Sequence, residues 1–268
     1  MSPSTSRLLS PLRSITFLFI SSFIFISCQK DNKSEVTGQE SNLTLRFTPV
    51  VKYDSVRMYF DTTTYQNAFG ESFTVKNFKF YLRAIRLTNT TTGKAFEINT
   101  DKYFLVDFRD SASTLVKISI LPYTYNRISF IVGIDSARTV SGVQTDALDP
   151  AKGMYWATNT GYIFAKFEGT SPSSSASGKM FQYHIGGYKE GEDASKEIQL
   201  LFPFGKEVTV NNSKNTEINI TADAYDWFNS PHDIRISKNA TCNTPGVLAL
   251  AIAENYSKMF TVTGIKSE

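Results

Sequence analysis

The sequence predicts an all-β domain: an antiparallel β-sandwich with a short C-terminal helix, preceded by a signal peptide and a disordered tether. Roughly ten short runs alternate apolar and polar residues, the period of a half-buried strand, with turn residues between them. Aromatic residues make up 13% of the 268-residue chain, with 21 Phe and 13 Tyr, the types that fill a pleated core between two sheets. Sustained helical spacing is confined to one stretch near the end, so the packed layers must be sheets.

Arg7 and Arg13 precede the apolar run Ile15-Thr-Phe-Leu-Phe-Ile-Ser-Ser-Phe-Ile-Phe-Ile26, which leads into Ser27-Cys28. A basic region, a short apolar region and a small residue at the cut form the layout of a secretory signal. The run is too short for a stable span, which needs about 20 residues in a helix. Phe25-Ile26-Ser27-Cys28 resembles the lipobox of bacterial lipoproteins, with Phe25 where Leu is usual. The expectation is a signal peptide over 1–27 and lipidation of Cys28, which anchors the mature chain to the membrane. Each buried methylene contributes about 0.8 kcal/mol, and two chains make anchoring stable. Ordinary secretion with an incidental cysteine is the plainer alternative. Residues 28–41 are polar, with a single Val and no aromatic, too little apolar surface to offset ordering entropy; they read as a disordered tether. Lys30-Asp31 resembles the charged export signal of surface lipoproteins. The expected location is therefore the outer membrane, exposed at the cell surface, with the periplasmic face as the alternative.

The domain proper runs over 42–268. Residues 42–50 alternate as a strand, and 75–87 do so at greater length, with Phe78, Phe80 and Leu82 on one face. Ile85 and Leu87 continue that face out of phase, which places a bulge near Ala84. The turn 91–94 leads to strands at 95–98 and 103–107, and Pro122 separates strands at 115–121 and 125–134. An irregular loop over 135–153 precedes strands at 154–168 and 179–186. The serine-rich turn 169–178 between them is low-complexity and reads as mobile. Strands at 197–204, 206–211 and 217–222 follow. Asp223 is placed to cap a short helix through Trp227 and Phe228. Over 246–260, Leu248, Ile252, Tyr256 and Met259-Phe260 recur at helical spacing.

The formal charge of +3 falls to +1 once Arg7 and Arg13 leave with 1–27, so there is no electrostatic case for nucleic acid. With Cys28 lipidated, Cys242 stands alone and no intramolecular disulfide forms. The sequence contains no GxSxG, Walker loop, dinucleotide fingerprint, CxxC or HExxH. It is not expected to be an enzyme.

Several segments, in order, resemble one family. They are Phe78-Lys-Phe-Tyr-Leu-Arg-Ala-Ile-Arg-Leu87, Phe130-Ile-Val-Gly-Ile134, the block 146–156 ending in Met154-Tyr-Trp156, Gly161-Tyr-Ile-Phe164, Phe181-Gln-Tyr-His-Ile-Gly186 and Ile252-Ala-Glu-Asn-Tyr-Ser-Lys-Met-Phe260. Together they resemble the MbnP-like proteins. The resemblance implies a secreted β-rich domain. For some members it also implies a mononuclear copper site, with histidines and an oxidised tryptophan at the metal, and a haem-enzyme partner. Imidazole ligands in a tetragonal field suit Cu(II). This chain departs from the pattern: Thr158 stands at the second aromatic of the Trp block, 43–50 holds no histidine, and Cys242 occupies a loop where some members carry Met.

The candidate metal ligands are His184 and His232, the only histidines. His184 lies in an alternating strand, where the other reading is a half-buried imidazole bonded to a neighbour. His232 follows a turn proline with Asp233 beside it as a possible orienting carboxylate, or is simply an exposed loop residue. Tyr155, Trp156 and Tyr162 form a candidate binding pocket, against the reading of plain aromatic packing. Asp146, Asp149, Asp226 and Asp233 offer oxygen ligands but fit no EF-hand and read as turn and cap residues. Cys242 is a soft ligand or an idle thiol. The function expected is a lipid-anchored envelope binding or accessory protein, with copper or a haem-enzyme or surface protein as partner. The alternative is a surface adhesin or glycan-binding lipoprotein with no metal.

Overall fold

The structure, a computed structural model, describes residues 38–52, 56–156 and 161–268. The signal peptide, Cys28, most of the tether and Thr158 lie outside the described residues. In chain order the strands begin with β1 (Ser41–Val51), β2 (Val56–Arg57), β3 (Tyr65–Gln66), β4 (Ser72–Thr88), β5 (Ala95–Glu97) and β6 (Phe104–Asp107). Next come β7 (Leu115–Ile120), β8 (Tyr123–Tyr125), β9 (Arg127–Val132), helix α1 (Ser136–Val140), β10 (Tyr155–Trp156), β11 (Gly161–Tyr162) and β12 (Ala165–Thr170). The last are β13 (Met180–Ile185), β14 (Lys196–Leu201), β15 (Val208–Val210), β16 (Thr216–Asp223), β17 (Thr241–Cys242), helix α2 (Val247–Tyr256) and β18 (Phe260–Ser267).

Two sheets make the sandwich. The smaller runs β18-β16-β1-β2, with β7 also on β1; the larger runs β14-β9-β4-β12-β13-β17, with β3, β5 and β6 on β4. Most pairs are antiparallel as expected. However, β1 pairs β16 in parallel from Leu43↔Thr216 to Val50↔Asp223, and β13 pairs β17 in parallel. Parallel neighbours need a long crossover, and the body of the domain between β1 and β16 supplies it.

The longest strand, β4, spans 17 residues and serves both halves of the large sheet. It pairs with β12 up to Phe80 and with β9 from Leu82, the register slipping between Arg83 and Arg86. Ala84 sits there with φ 48°, the bulge read from the phase change. Alternation along β1, β4, β9 and β18 then directs rings into one core. Phe47 meets Phe80, Phe130 and Phe260 edge-on at 5.7, 6.1 and 6.3 Å between centroids. Beyond them, Phe73, Phe78, Phe167, Phe181, Trp227 and Phe228 continue the layer. Each fully buried ring contributes about 1.5–3 kcal/mol, and each edge-on pair adds about 0.5–1.5 kcal/mol.

Three expectations change in detail. The strand expected over 154–168 is broken: β10 and β11 fold back on each other as a separate ribbon, Tyr155↔Tyr162 and Trp156↔Gly161, and only β12 enters the sheet. The serine-rich turn is built into the fold. Ser171 and Ser174 are buried, and their hydroxyls donate to Ser72 O at 2.6 Å and Met180 O at 2.5 Å. The final strand β18 lies beyond the expected helix, and periodicity alone does not separate the two. Asp223 does cap a short turn over Ala224–Trp227, accepting from Tyr225 N. Helix α2 buries Ile252 and Tyr256 as expected, together with Ala249 and Ala253, but Leu248 is half-buried and the helix ends at Tyr256, ahead of Met259 and Phe260.

Asn255 of α2 is wholly buried. Its Oδ1 accepts from His232 N at 2.9 Å, and its Nδ2 donates to His232 O at 2.7 Å and to Trp227 O at 3.3 Å. This amide latches the 227–232 segment to the helix. Replacing Asn255 by Ala leaves buried backbone groups without partners, an expected loss of about 3 kcal/mol, read as a lowered urea midpoint at unchanged slope.

Candidate functional site

The phenyl rings occupy one face of the large sheet, so the residues between them come to the other. On β13, Tyr183 and Ile185 are buried with the core and His184 faces outward, part-buried. The register sets Lys79, Lys166 and His184 in one row across β4, β12 and β13, and Asn77, Glu168 and Gln182 in the next. Diagonal neighbours are within reach of long side chains. His184 Nε2 lies 2.5 Å from Glu168 Oε1, and Asn77 Nδ2 donates to Glu168 Oε2 at 2.5 Å. Burial by itself would raise the Glu168 carboxyl. The hydrogen bonds from His184 and Asn77, with the charge of Lys166, outweigh it and hold the acid at about 2. An ionised carboxylate only accepts, so His184 Nε2 carries the proton in this pair.

The loop 146–153 lies across the lysines of this face. Lys166 Nζ donates to Gly153 O, and Lys79 Nζ donates to Lys152 O at 3.3 Å while pairing with Asp107 Oδ2 at 2.8 Å. Burial pushes the Lys166 ammonium down, opposed by the nearby Glu168. Within the loop, Asp149 caps a short turn by accepting from Ala151 N at 2.8 Å.

The three candidate pocket aromatics are packed rather than displayed. Tyr162 is buried, its ring 5.1 Å from Tyr155 and 6.2 Å from Tyr81, and its hydroxyl accepts from Gln144 N at 3.1 Å. Trp156 is 9% exposed, and its indole lies on Gly186, where a β-carbon would come within 2.8 Å of Cζ3 and 2.5 Å of Tyr162 O. The glycine of His184-Ile-Gly186 is therefore the space for Trp156. Among the described residues, Trp156 Nε1 and the Tyr81 hydroxyl are buried polar atoms without a partner. Tyr155 is half-buried beside them.

His232 stands apart. Its Nε2 is 2.5 Å from Glu254 Oε2, in an exposed pair. Its backbone is held by α2, on the side where Trp227 meets Phe78 edge-on and Phe167 at a tilt. The two imidazoles thus belong to opposite faces of the large sheet. Asp233 lies 3.9 Å from Arg235. Cys242 is buried on β17, and burial pushes its thiol up to about 11. A tetragonal Cu(II) site needs several convergent donors. Among the described residues no group of three or more His, Cys, Asp or Glu is placed to hold a metal ion. Both histidines in the sequence are engaged by separate carboxylates, so the donors present do not fit the copper site that the resemblance implies.

One surface feature escaped the sequence reading. Along β1, the strand edge passes from β7 to β2: Phe47 N donates to Thr114 O at 2.9 Å and Met58 N to Pro49 O at 3.1 Å. Pro49 has no N–H to continue the ladder, and an open groove of about 620 Å³ lies there, lined by Arg46, Arg57, Met58, Tyr59 and Phe60 among others. Tyr59 is 54% exposed, with the Arg57 guanidinium 6.0 Å from its ring centre. Val56-Arg-Met-Tyr-Phe60 carries these residues; its mixed basic and aromatic character was the available signal.

The Glu168 pair gives a pH signature. Its carboxyl is held below the ordinary value of 4.5, so its stabilising effect is complete above that pH and is lost as pH falls towards about 2. Glu168→Gln should lower the urea midpoint at neutral pH and flatten the loss of stability across that acid window. A parallel acid limb in the variant would show that this pair does not contribute.

The family model for MbnP matches residues 40–244 of this chain. Among solved structures, MbnP from Methylosinus trichosporium superposes with a TM-score of 0.52 at 12% identity, covering 86% of this chain and 99% of that one. At that identity the likeness establishes the fold. No curated protein matches the chain.

Proposed function

The chain belongs to the MbnP family, and from that premise we propose that it is a lipid-anchored binding protein of the cell envelope. Acyl chains on Cys28 hold it at the outer membrane, at the cell surface, and it acts by contact with a partner rather than by catalysis. The observation that carries this reading is the order of segments: Arg7 and Arg13, the apolar run, Phe25-Ile26-Ser27-Cys28 and a polar stretch, immediately ahead of the family domain. Among the described residues no helix is long and apolar enough to cross a membrane. The side chains that a catalytic reading would use also have structural partners: His184 and Glu168 bind each other, and Tyr162 supports Gln144.

The contact surface we assign is the Tyr59 groove. An exposed ring beside Arg57, in a groove also lined by Ser111, Thr114 and an Arg46 that is paired with Glu217, favours a ligand with both a flat apolar face and polar groups. That observation supports the glycan-binding alternative at this groove. It is a different surface from that of Tyr155, Trp156 and Tyr162, of which Trp156 and Tyr162 are buried and Tyr155 half-buried.

Labelling with a radioactive fatty acid tests the anchor. Label on the mature chain is expected, and Cys28→Ser should lose it and move the protein to the soluble fraction. Unlabelled wild-type protein would reduce the reading to plain secretion. Copper is tested by titration of the purified protein. Less than one tightly held Cu(II) per chain is expected, with no change on His184→Ala. One copper per chain, lost in that variant, would restore the metal role.

A further inference from the structure

Phe204 is 99% exposed at the tip of the Pro203–Gly205 turn, with φ 55° and ψ 31°. This is the left-handed region, which a residue with a β-carbon enters at a cost. Gly205 follows at φ 65°, so two left-handed residues in succession turn the chain at its tip. Leu201, three residues earlier, is 63% exposed. Phe202 between them is buried and anchors the turn, its N–H donating to Asn126 O at 3.0 Å. One exposed apolar residue on a surface needs no explanation. An anchored turn in a costly backbone conformation that offers two of them calls for a contact.

The place of the turn selects the contact. The described chain begins at Gly38, whose β-carbon position is 3.9 Å from Pro122 Cδ, and Ser41 Oγ donates to Asn212 Oδ1 at 2.5 Å. From there β8 and β15 pair as a three-residue ribbon, Tyr123↔Val210 to Tyr125↔Val208, which ends beside Asn126 and the Phe202 turn. The entry of the tether and Phe204 are thus bridged by one short ribbon. Ten residues separate Cys28 from Gly38 in the sequence, at most about 36 Å of fully extended chain. This end of the domain therefore cannot leave the neighbourhood of a bilayer that holds Cys28.

We propose that the Leu201–Phe204 turn seats the domain on the lipid surface to which Cys28 tethers it, with the Phe204 ring entering the boundary between headgroups and acyl chains. The proposal rests on the lipid-anchor reading of Cys28. One ring and one Leu bind a membrane marginally when free, but a short tether supplies a high effective concentration and makes the weak contact count. Lys206 and Glu207 beside the turn are both exposed and cancel in charge, Arg127 lies across from Leu201, and against a lipid surface of no net charge the apolar contact is insensitive to salt. Seating through this end fixes which surfaces of the domain face away from the membrane.

The test introduces Phe204→Trp and links the chain, cut before Cys28, to phosphatidylcholine vesicles through a maleimide lipid on the Cys28 thiol. Chemical coupling separates this question from whether cells acylate Cys28, which the fatty-acid label answers alone. Buried Cys242 does not compete for the reagent. Against the background of buried Trp156 and Trp227, the added emission should shift to the blue. It should also lose about half its intensity when the acyl chains carry bromine near the 5–10 Å depth of interfacial side chains. High salt should change neither. Added emission that stays at the water-exposed wavelength, unquenched on tethered protein, overturns the proposal and points to a protein partner for the turn.

Discussion

The edge-on contacts of Phe47 and Phe260 with Phe80 and Phe130 hold the two sheets to each other, because they join β1 and β18 of one layer to β4 and β9 of the other. A phenyl ring has no polar atom to satisfy, so a dense cluster of them fills the space between sheets without any hydrogen-bond demand. For a domain with one buried thiol and no disulfide among its described residues, such packing is the main source of stability. The bulge at Ala84 belongs to the same constraint. Without that shift of phase, the far half of β4 would turn Ile85 and Leu87 away from the core.

Putting one set of residues inward fixes what comes outward. The polar rows of the large sheet, His184 with Glu168 and Lys79 with Asp107, occur because alternate positions on β4, β6, β12 and β13 must face away from the rings. Once there, these groups are partly covered by the loop 146–153, and partial burial makes pairing necessary. The imidazole of His184 therefore acts as a hydrogen-bonding partner within the sheet.

Several residues that carry the family pattern have structural reasons of the same kind. Gly186 makes room for Trp156, and Asn255 ties the 227–232 segment to α2. Tyr162 holds the start of the covering loop through Gln144. These interactions explain how a chain at 12% identity to a solved MbnP keeps its fold, while among the described residues no three or more His, Cys, Asp or Glu come together. The Tyr59 groove and the exposed Phe204 turn lie outside that pattern.

Strands β1, β4, β7, β9, β13 and β16, the bulge, the Asp223 cap and the helix are legible in the sequence, because each follows from local alternation or capping chemistry. The sequence also carried the family, through short motifs spread in order along the chain. It did not separate β10, β11 and β12, since a chain that folds back on itself has the same alternation as one that runs straight. Nor did it distinguish a packed serine turn from a mobile one, because Ser171 and Ser174 are ordered by the carbonyls of Ser72 and Met180. The candidate site depended most on tertiary structure. Whether His184 and His232 converge, whether Trp156 shows its face, and whether Phe204 meets water are decided by which strands become neighbours, and that information lies between segments far apart in the chain.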